Sequence, residues 1–274
     1  MRSFIEQIFK RLKVPIISNK RYSETSLFLA RDLIKECRRQ NQLSDGEVPK
    51  FVVLDPDGDI LKYLQDKGLV ERSADWGCYH TSLFLFKVNG VECGIVANVV
   101  GGSFAVLVAE QLFESGCTFL MSITSAGKIS QSEIGDYILI DKALRDEGVS
   151  YHYLPPSKYS YLSKKLLDMF KNLTSISSLE IKIAAVWTTA APYRETAYAI
   201  NYARRLGLVA VEMECASLYA YASANNKSVL CFAHLTNETG YEGDNFEKGR
   251  ENGALKGLKL VENVFEKVQA NGVT

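Results

Sequence analysis

The chain has 274 residues, of which 47% are hydrophobic and 23% charged, with 32 basic residues balanced by 32 acidic ones. Such a length can bury a sizeable core in one large α/β domain or two smaller ones, and the composition excludes a disordered or fibrous chain. A formal charge of zero supplies no overall positive field for nucleic acid or an anionic membrane, so a small neutral or locally anionic ligand fits better.

The chain opens on MRSFIEQIFKRLK, where Ile5, Ile8, Phe9 and Leu12 share one helical face. This pattern predicts an amphipathic helix that docks on its own domain or on another subunit, since it lacks the continuous apolar stretch of a signal segment. SETSLFLARDLIKECRRQ predicts a helix from Ser23 to about Gln42, with Leu27, Ala30, Leu33, Ile34 and Cys37 inward. Residues 1–50 therefore read as a helical extension and residues 51–274 as the main domain.

FVVLDP reads as a short buried strand, DPDGD as a turn and ILKYLQDKG as a helix. SLFLFKVNGVECGIVANVV is a hairpin turning at Asn89-Gly90, a dipeptide suited to positive backbone angles. The helix FAVLVAEQLFESG follows, then the buried strand CTFLMSITSAG, a turn, and the strand DYILIDKAL. Beyond the polar connection RDEGVSYHYLPPSKYS come a helix near YLSKKLLDMFKNL, the strand IKIAAVWTTA and a helix near RETAYAINYARRLG. The strand LVAVEM, the helix ECASLYAYASANN, the strand SVLCFAHLTN and a final helix from about Phe246 to Gln269 complete the chain. Alternation of this kind predicts an α/β fold: a single three-layer domain with a central mixed, largely parallel sheet flanked by helices. No run reaches the roughly 18 to 20 apolar residues that span a bilayer, so no membrane association is expected and a cytoplasmic location is. The six cysteines are scattered without a metal-ligand spacing, so neither a metal site nor a disulfide framework is expected.

In such sheets ligands bind beyond the carboxyl ends of the strands. VEMECASLYAYA leaves Glu212, Met213 and Glu214 where a strand runs into a helix, a place where a carboxylate either serves a ligand or answers the helix dipole. This segment resembles the strand-to-helix signature of nucleoside phosphorylases of the uridine and purine type. The resemblance implies that Glu214 accepts hydrogen bonds from ribose hydroxyls, that Met213 packs on the sugar and that Glu212 lies beside them, all three binding substrate. EIGDYILIDKALRDEGVSYHYLPPS is similar to the family's central segment, within which His152 reads as a packing residue and takes no catalytic role.

VWTTAAPYRETAYAI is similar to the base-site segment of the family, with Ala190 where an aspartate is usual. There Tyr193 offers a face for stacking, while Arg194 and Glu195 offer groups for base edges. CFAHLTNETG places Asn237 where purine-specific relatives carry a proton-donating aspartate; an amide is no general acid, and uridine phosphorylases also carry asparagine, so the resemblance implies a pyrimidine nucleoside. Asp244 is either a substitute acid or a helix cap.

For the anion, VVGGS resembles the family's glycine turn and brings Gly101, Gly102 and Ser103, while TSAG brings Ser125 as a phosphate-binding hydroxyl. The family's arginines are absent: Ser122 stands at one position, and LDPDGD replaces the other arginine-bearing segment. Arg145, Lys128 or an arginine of a neighbouring subunit are the substitutes available. The implied activity is phosphorolysis of a nucleoside to base and ribose 1-phosphate, with Glu214, Arg194 and Asn237 as catalytic residues and inorganic phosphate as co-substrate. No metal or organic cofactor is implied, and a homo-oligomer is. Hydrolysis by a nucleosidase, or nucleoside binding without turnover, are the alternatives.

Overall fold

The computed structural model describes residues 17–130, 134–173, 175–176, 179–238 and 248–272. The helix expected to begin at Ser23 is shorter: α1 spans Ala30–Asn41 and buries Ile34 and Cys37. Upstream of it Ser26 Oγ donates to the Phe28 carbonyl, a local bond that competes with helical pairing, and Leu27 is left fully exposed. The helix expected over residues 1–13 lies outside the described residues.

Strand β1 (Phe51–Asp55) is buried at every position, as a central parallel strand must be, and leads into α2 (Asp59–Asp66) through Gly58 at φ 82°. β2 (Glu71–Arg72) is a short edge piece beside the hairpin of β3 (Leu83–Val88) and β4 (Val91–Ala97). Asn89 and Gly90 both take positive φ, as the two-residue turn requires. α3 (Gly102–Glu114), β5 (Phe119–Lys128) and β6 (Tyr137–Asp146) follow. The polar connection after β6 holds a single helical turn, α4 (Ser150–Tyr153), and a short strand, β7 (Tyr159–Tyr161), paired to β6. Next come α5 (Lys164–Phe170), β8 (Ser175–Ile176), β9 (Leu179–Thr189), α6 (Ala197–Arg205), β10 (Ala210–Glu212), α7 (Cys215–Asn225), β11 (Ser228–Glu238) and α8 (Ala254–Ala270).

The sheet runs β10, β9, β6, β11, β5, β1, β4, β3, β2. Its inner pairs are mostly parallel, while β6 with β11 and the β2–β3–β4 edge are antiparallel. β10 also pairs with β5, through Ala210 to Lys128 and Val211 to Gly127, so that β5, β11, β6, β9 and β10 close into a ring.

That closure corrects one expectation. TSAG lies within the strand, as its apolar pattern predicts, and is not the turn that its likeness to the family's segment implies: β11 pairs along one edge, β10 takes Gly127 and Lys128 on the other, and the chain stays extended to Lys128. The final helix also begins later than Phe246, which itself lies outside the described residues. Gly249 and Gly253 at φ 78° and 77° flank Glu251 and Asn252, also at positive φ, and hold a non-helical turn against His234 until Ala254. All six cysteines are free thiols, five of them buried.

α7 is buried on every side from Cys215 to Ala222, which places its start in the protein interior rather than at the surface. Tyr219 in its centre donates to the Ile140 carbonyl at 2.7 Å and accepts from Cys231 N–H at 3.2 Å, pinning the helix to β6 and β11. Val48 joins the main core, so the boundary drawn at residue 51 lies just inside the folded unit rather than at its edge.

Candidate active site

Two glutamates meet where β10 enters α7, and they have different tasks. Glu212 lies opposite Thr188 in the β10–β9 ladder and is 3% exposed. Its Oε2 accepts from the Glu214 and Cys215 amides, both at 2.8 Å, and its Oε1 accepts from Thr188 Oγ1. Thr188 Oγ1 in turn accepts from Ala216 N–H at 3.0 Å. The free amides at the start of a helix need acceptors, and here a strand residue and its ladder partner provide them. Glu212 is therefore spent on fastening the helix, and the expectation that it touches substrate is not what its bonds are arranged for.

With the amides served, Glu214 is free to reach across to the neighbouring strand ends. Its Oε1 accepts from Gly101 N–H at 2.6 Å and its Oε2 from Thr124 Oγ1 at 2.9 Å. Glu214 is 2% exposed and makes no ion pair among the described residues. Burial pushes the Glu212 carboxyl above its ordinary range in spite of its three hydrogen bonds. Burial first, and then the charge of Glu212, push Glu214 up further. Of the two, Glu214 has fewer donors and takes up the proton more readily. A ligand that donates hydroxyls to it favours the carboxylate.

The glycine turn lies against this carboxylate. Gly101, at φ 89°, precedes α3, and Gly102 passes so close to α7 that a Cβ there would fall 2.1 Å from Ser217 Oγ. Ser217 Oγ donates to Glu147 Oε2 at 2.7 Å, and the same carboxylate accepts from the Val149 and Ser150 amides at 2.6 and 3.0 Å. The structure thus brings Gly101, Gly102, Met213 and Glu214 together, with Ser103 exposed on the first turn of α3.

On the other side of Thr124 lies Ser125, the expected phosphate hydroxyl, and it is taken. Asp57 Oδ2 accepts from both Ser125 N–H at 2.7 Å and Ser125 Oγ at 2.5 Å. Lys248 Nζ lies 3.3 Å from Asp57 Oδ1 and 2.5 Å from Asp59 Oδ2. The turn carrying Asp57 is held from beneath by Asp55, whose carboxylate accepts from Gly58 N–H at 3.2 Å and Leu61 N–H at 2.9 Å. Burial, with the charges of Asp57 and Asp59 behind it, pushes Asp55 up to about 7. Beside Ser125 a cavity of about 20 Å³, bordered by Asp57, Thr124 and His234, has room for one water molecule.

No arginine serves this place among the described residues. Arg145 is 5% exposed and locked elsewhere: it donates to Ser150 Oγ at 2.8 Å, to Ser157 Oγ at 2.6 Å and to the carbonyls of Pro155 and Leu154 at 2.8 and 3.1 Å, and it stacks on Tyr151. It is thereby corrected from a candidate anion ligand to a clamp on the loop after β6. Ser122, where the missing arginine was expected, keeps a buried hydroxyl without a partner among the described groups.

The base-site segment is less assembled. Tyr193 and Arg194 sit on the short turn Pro192–Arg194, with Tyr193 fully exposed and Glu195 half-buried, where burial raises its carboxyl. None of the three is hydrogen-bonded to the Glu214 cluster among the described contacts. His152 is exposed at the surface, its Nδ1 3.3 Å from Lys20 Nζ. The side chain of Asn237, and all of Asp244, lie outside the described residues. Asp57 is the site residue that sequence reasoning missed; the signal was the acidic DPDGD standing where the resemblance implies a basic group.

Residues 51–266 match the model of the phosphorylase superfamily. An uncharacterised protein of Acanthamoeba polyphaga mimivirus is 26% identical over 151 residues, 54% of this chain and 58% of the viral protein, so the match spans less than two thirds of that relative. A guanosine phosphorylase of Halorubrum lacusprofundi is 22% identical over 66% of this chain and 75% of its own. Among solved structures, AMP nucleosidase from Bacteroides thetaiotaomicron superposes with a TM-score of 0.66 at 21% identity, covering 89% of this chain and all of that one. Uridine phosphorylase from Vibrio fischeri superposes at 0.62 and 19%, covering 84% and 90%. Both likenesses are of fold.

Proposed function

The chain belongs to the phosphorylase superfamily, and on that premise we propose that it cleaves the N-glycosidic bond of a nucleoside. One observation carries the reading: Glu214 is buried at a strand-to-helix junction with both oxygens held by donors that a sugar can replace, Gly101 N–H and Thr124 Oγ1. Two vicinal hydroxyls arriving there convert a protonated carboxyl into a carboxylate accepting two charge-assisted bonds, each worth about 1.5–3 kcal/mol. That grip fixes the ring with its glycosidic carbon toward the Thr124–Ser125 strand end, where the acceptor enters.

For the acceptor the geometry supports water better than phosphate. The Ser125 amide and hydroxyl are already taken by the Asp57 carboxylate, and Arg145 is committed elsewhere. Water oxygen bonds to the anomeric carbon, the carbon–nitrogen bond breaks with its electron pair leaving on the base, and the proton lost by the water passes through solvent to that base. Phosphorolysis is the second reading, favoured by the glycine amides ahead of α3. A pyrimidine base remains our reading from Asn237, with Tyr193, Arg194 and Glu195 as its contacts. We also propose a homo-oligomer, supported by the exposed Leu27, Phe28, Tyr198 and Tyr202.

The test is a panel of uridine, inosine, guanosine and AMP incubated with the full chain, with and without inorganic phosphate. Free sugar formed at equal rates in both arms is the expected result. Ribose 1-phosphate formed only with phosphate overturns the choice of water, and no cleavage of any compound overturns catalysis.

A further inference from the structure

We propose that Asp57 is the residue that selects the acceptor: its carboxylate fills the anion subsite at Ser125 as an internal stand-in for phosphate, and Lys248 holds it there. The proposal rests on the N-glycoside reading for its consequence in catalysis, but not for the occupancy itself.

The offset of 68 residues that sets Leu54 opposite Ser122 in the β1–β5 ladder also separates Asp57 from Ser125. β1 ends at Asp55 while β5 runs on to Lys128, so the turn after β1 crosses the overhanging half of β5. Gly58 at positive φ and the two bonds to Asp55 fix that crossing, and they set Asp57 over Ser125. The result is two oxygens of an acid, one taking both the amide and the hydroxyl of Ser125 and the other facing a cation. Tetrahedral phosphate asks for the same three partners. While Asp57 holds them, an incoming phosphate meets a like charge and no free donor at Ser125.

Removing the carboxylate reverses the balance. The Ser125 donors become free, and Lys248 remains on Asp59, next to the vacated place, as the cation that the absent arginines would have supplied. A phosphate oxygen then bonds to the anomeric carbon, the glycosidic bond breaks with its electron pair on the base, and the base takes its proton from solvent, giving ribose 1-phosphate.

The experiment measures inorganic phosphate binding to the full chain by ³¹P line broadening, with no nucleoside present, so its outcome is separate from that of the panel above. Asp57→Ala is expected to bind phosphate roughly tenfold to a hundredfold more tightly than the unaltered chain. Ser125→Ala added to it should remove most of the gain. Asp57→Asn, which keeps the shape and loses the charge, is expected to show a smaller gain and serves as well if the alanine variant does not fold. Equal binding by the unaltered chain and by both Asp57 variants overturns the proposal, as does a gain that survives loss of the Ser125 hydroxyl. Where the panel shows turnover, the same variants should divert product from free ribose toward ribose 1-phosphate.

Discussion

The Glu214 side of the site, proposed to hold the sugar, and the Asp57 side, proposed to face the acceptor, are built differently. On the sugar side, Glu214 depends on the fold at large: a ladder pair caps its helix, a buried helix carries it, and a glycine turn from another strand meets it. On the acceptor side, Asp57 depends on one four-residue turn and a lysine from the far end of the chain. The first arrangement cannot change without disturbing the core, whereas the second can change by substituting a surface turn. On the proposed function, sugar recognition is the fixed property of this site and the choice of acceptor the variable one.

The strongest way to break that comparison is Glu214→Gln. It should lower kcat/KM by about a hundredfold or more, since an amide oxygen is a weaker acceptor and its nitrogen opposes a donor. Unchanged kinetics would remove Glu214 from the site. The same variant has an opposite effect on stability. Glu214, Glu212 and Asp55 all have raised values in the fold, so the stability they contribute is fully present below their unfolded values near 4 and is lost as pH rises through about 7, the value for Asp55. Urea denaturation from pH 5 to pH 8 should show this decline, and Glu214→Gln should flatten it by about 1 kcal/mol or more.

Gly102→Ala tests whether the sugar side is as rigid as claimed. The new methyl meets Ser217 Cβ and Oγ at 2.8 and 2.1 Å and should cost about 1–3 kcal/mol in urea denaturation. A neutral result would mean that α3 and α7 shift apart easily. A smaller effect concerns protonation: nucleoside binding near pH 7 should release a fraction of a proton from Glu214, read by calorimetry in buffers of differing ionisation enthalpy. Proton uptake would contradict hydroxyl donation to this carboxylate. Smallest is Tyr193→Ala, which should leave stability within about 0.5 kcal/mol because the ring is exposed, and raise KM several-fold if it stacks on the base.

Much of the sugar side was legible in the amino-acid order because its determinants are local. The VEMEC junction, the Asn89-Gly90 turn and the glycines ahead of α3 declare themselves within a few residues. The acceptor side was not legible, because it is made by register. Nothing near TSAG reveals which two strands will pair along its edges, and nothing in DPDGD reveals which residue of a distant strand it will cover. Arg145 misled for the same reason: its four bonds go to a loop whose return path follows from pairing between β6 and β7. The late start of α8 is set by contact of Gly253 with His234, again a tertiary matter.

The closed ring of strands has a mechanical meaning. Thr124 and Ser125 ride on β5, Glu212 ends β10 and Glu214 follows two residues on at the start of α7, and β5 and β10 pair directly at Val211–Gly127. On the proposed function, the span between the gripping carboxylate and the point of attack is therefore gauged like the jaws of a caliper, to the tolerance of a ladder bond rather than of a loop. Amides of that ladder should be among the last in the chain to exchange with deuterium, while the turn bearing Asp57 exchanges early.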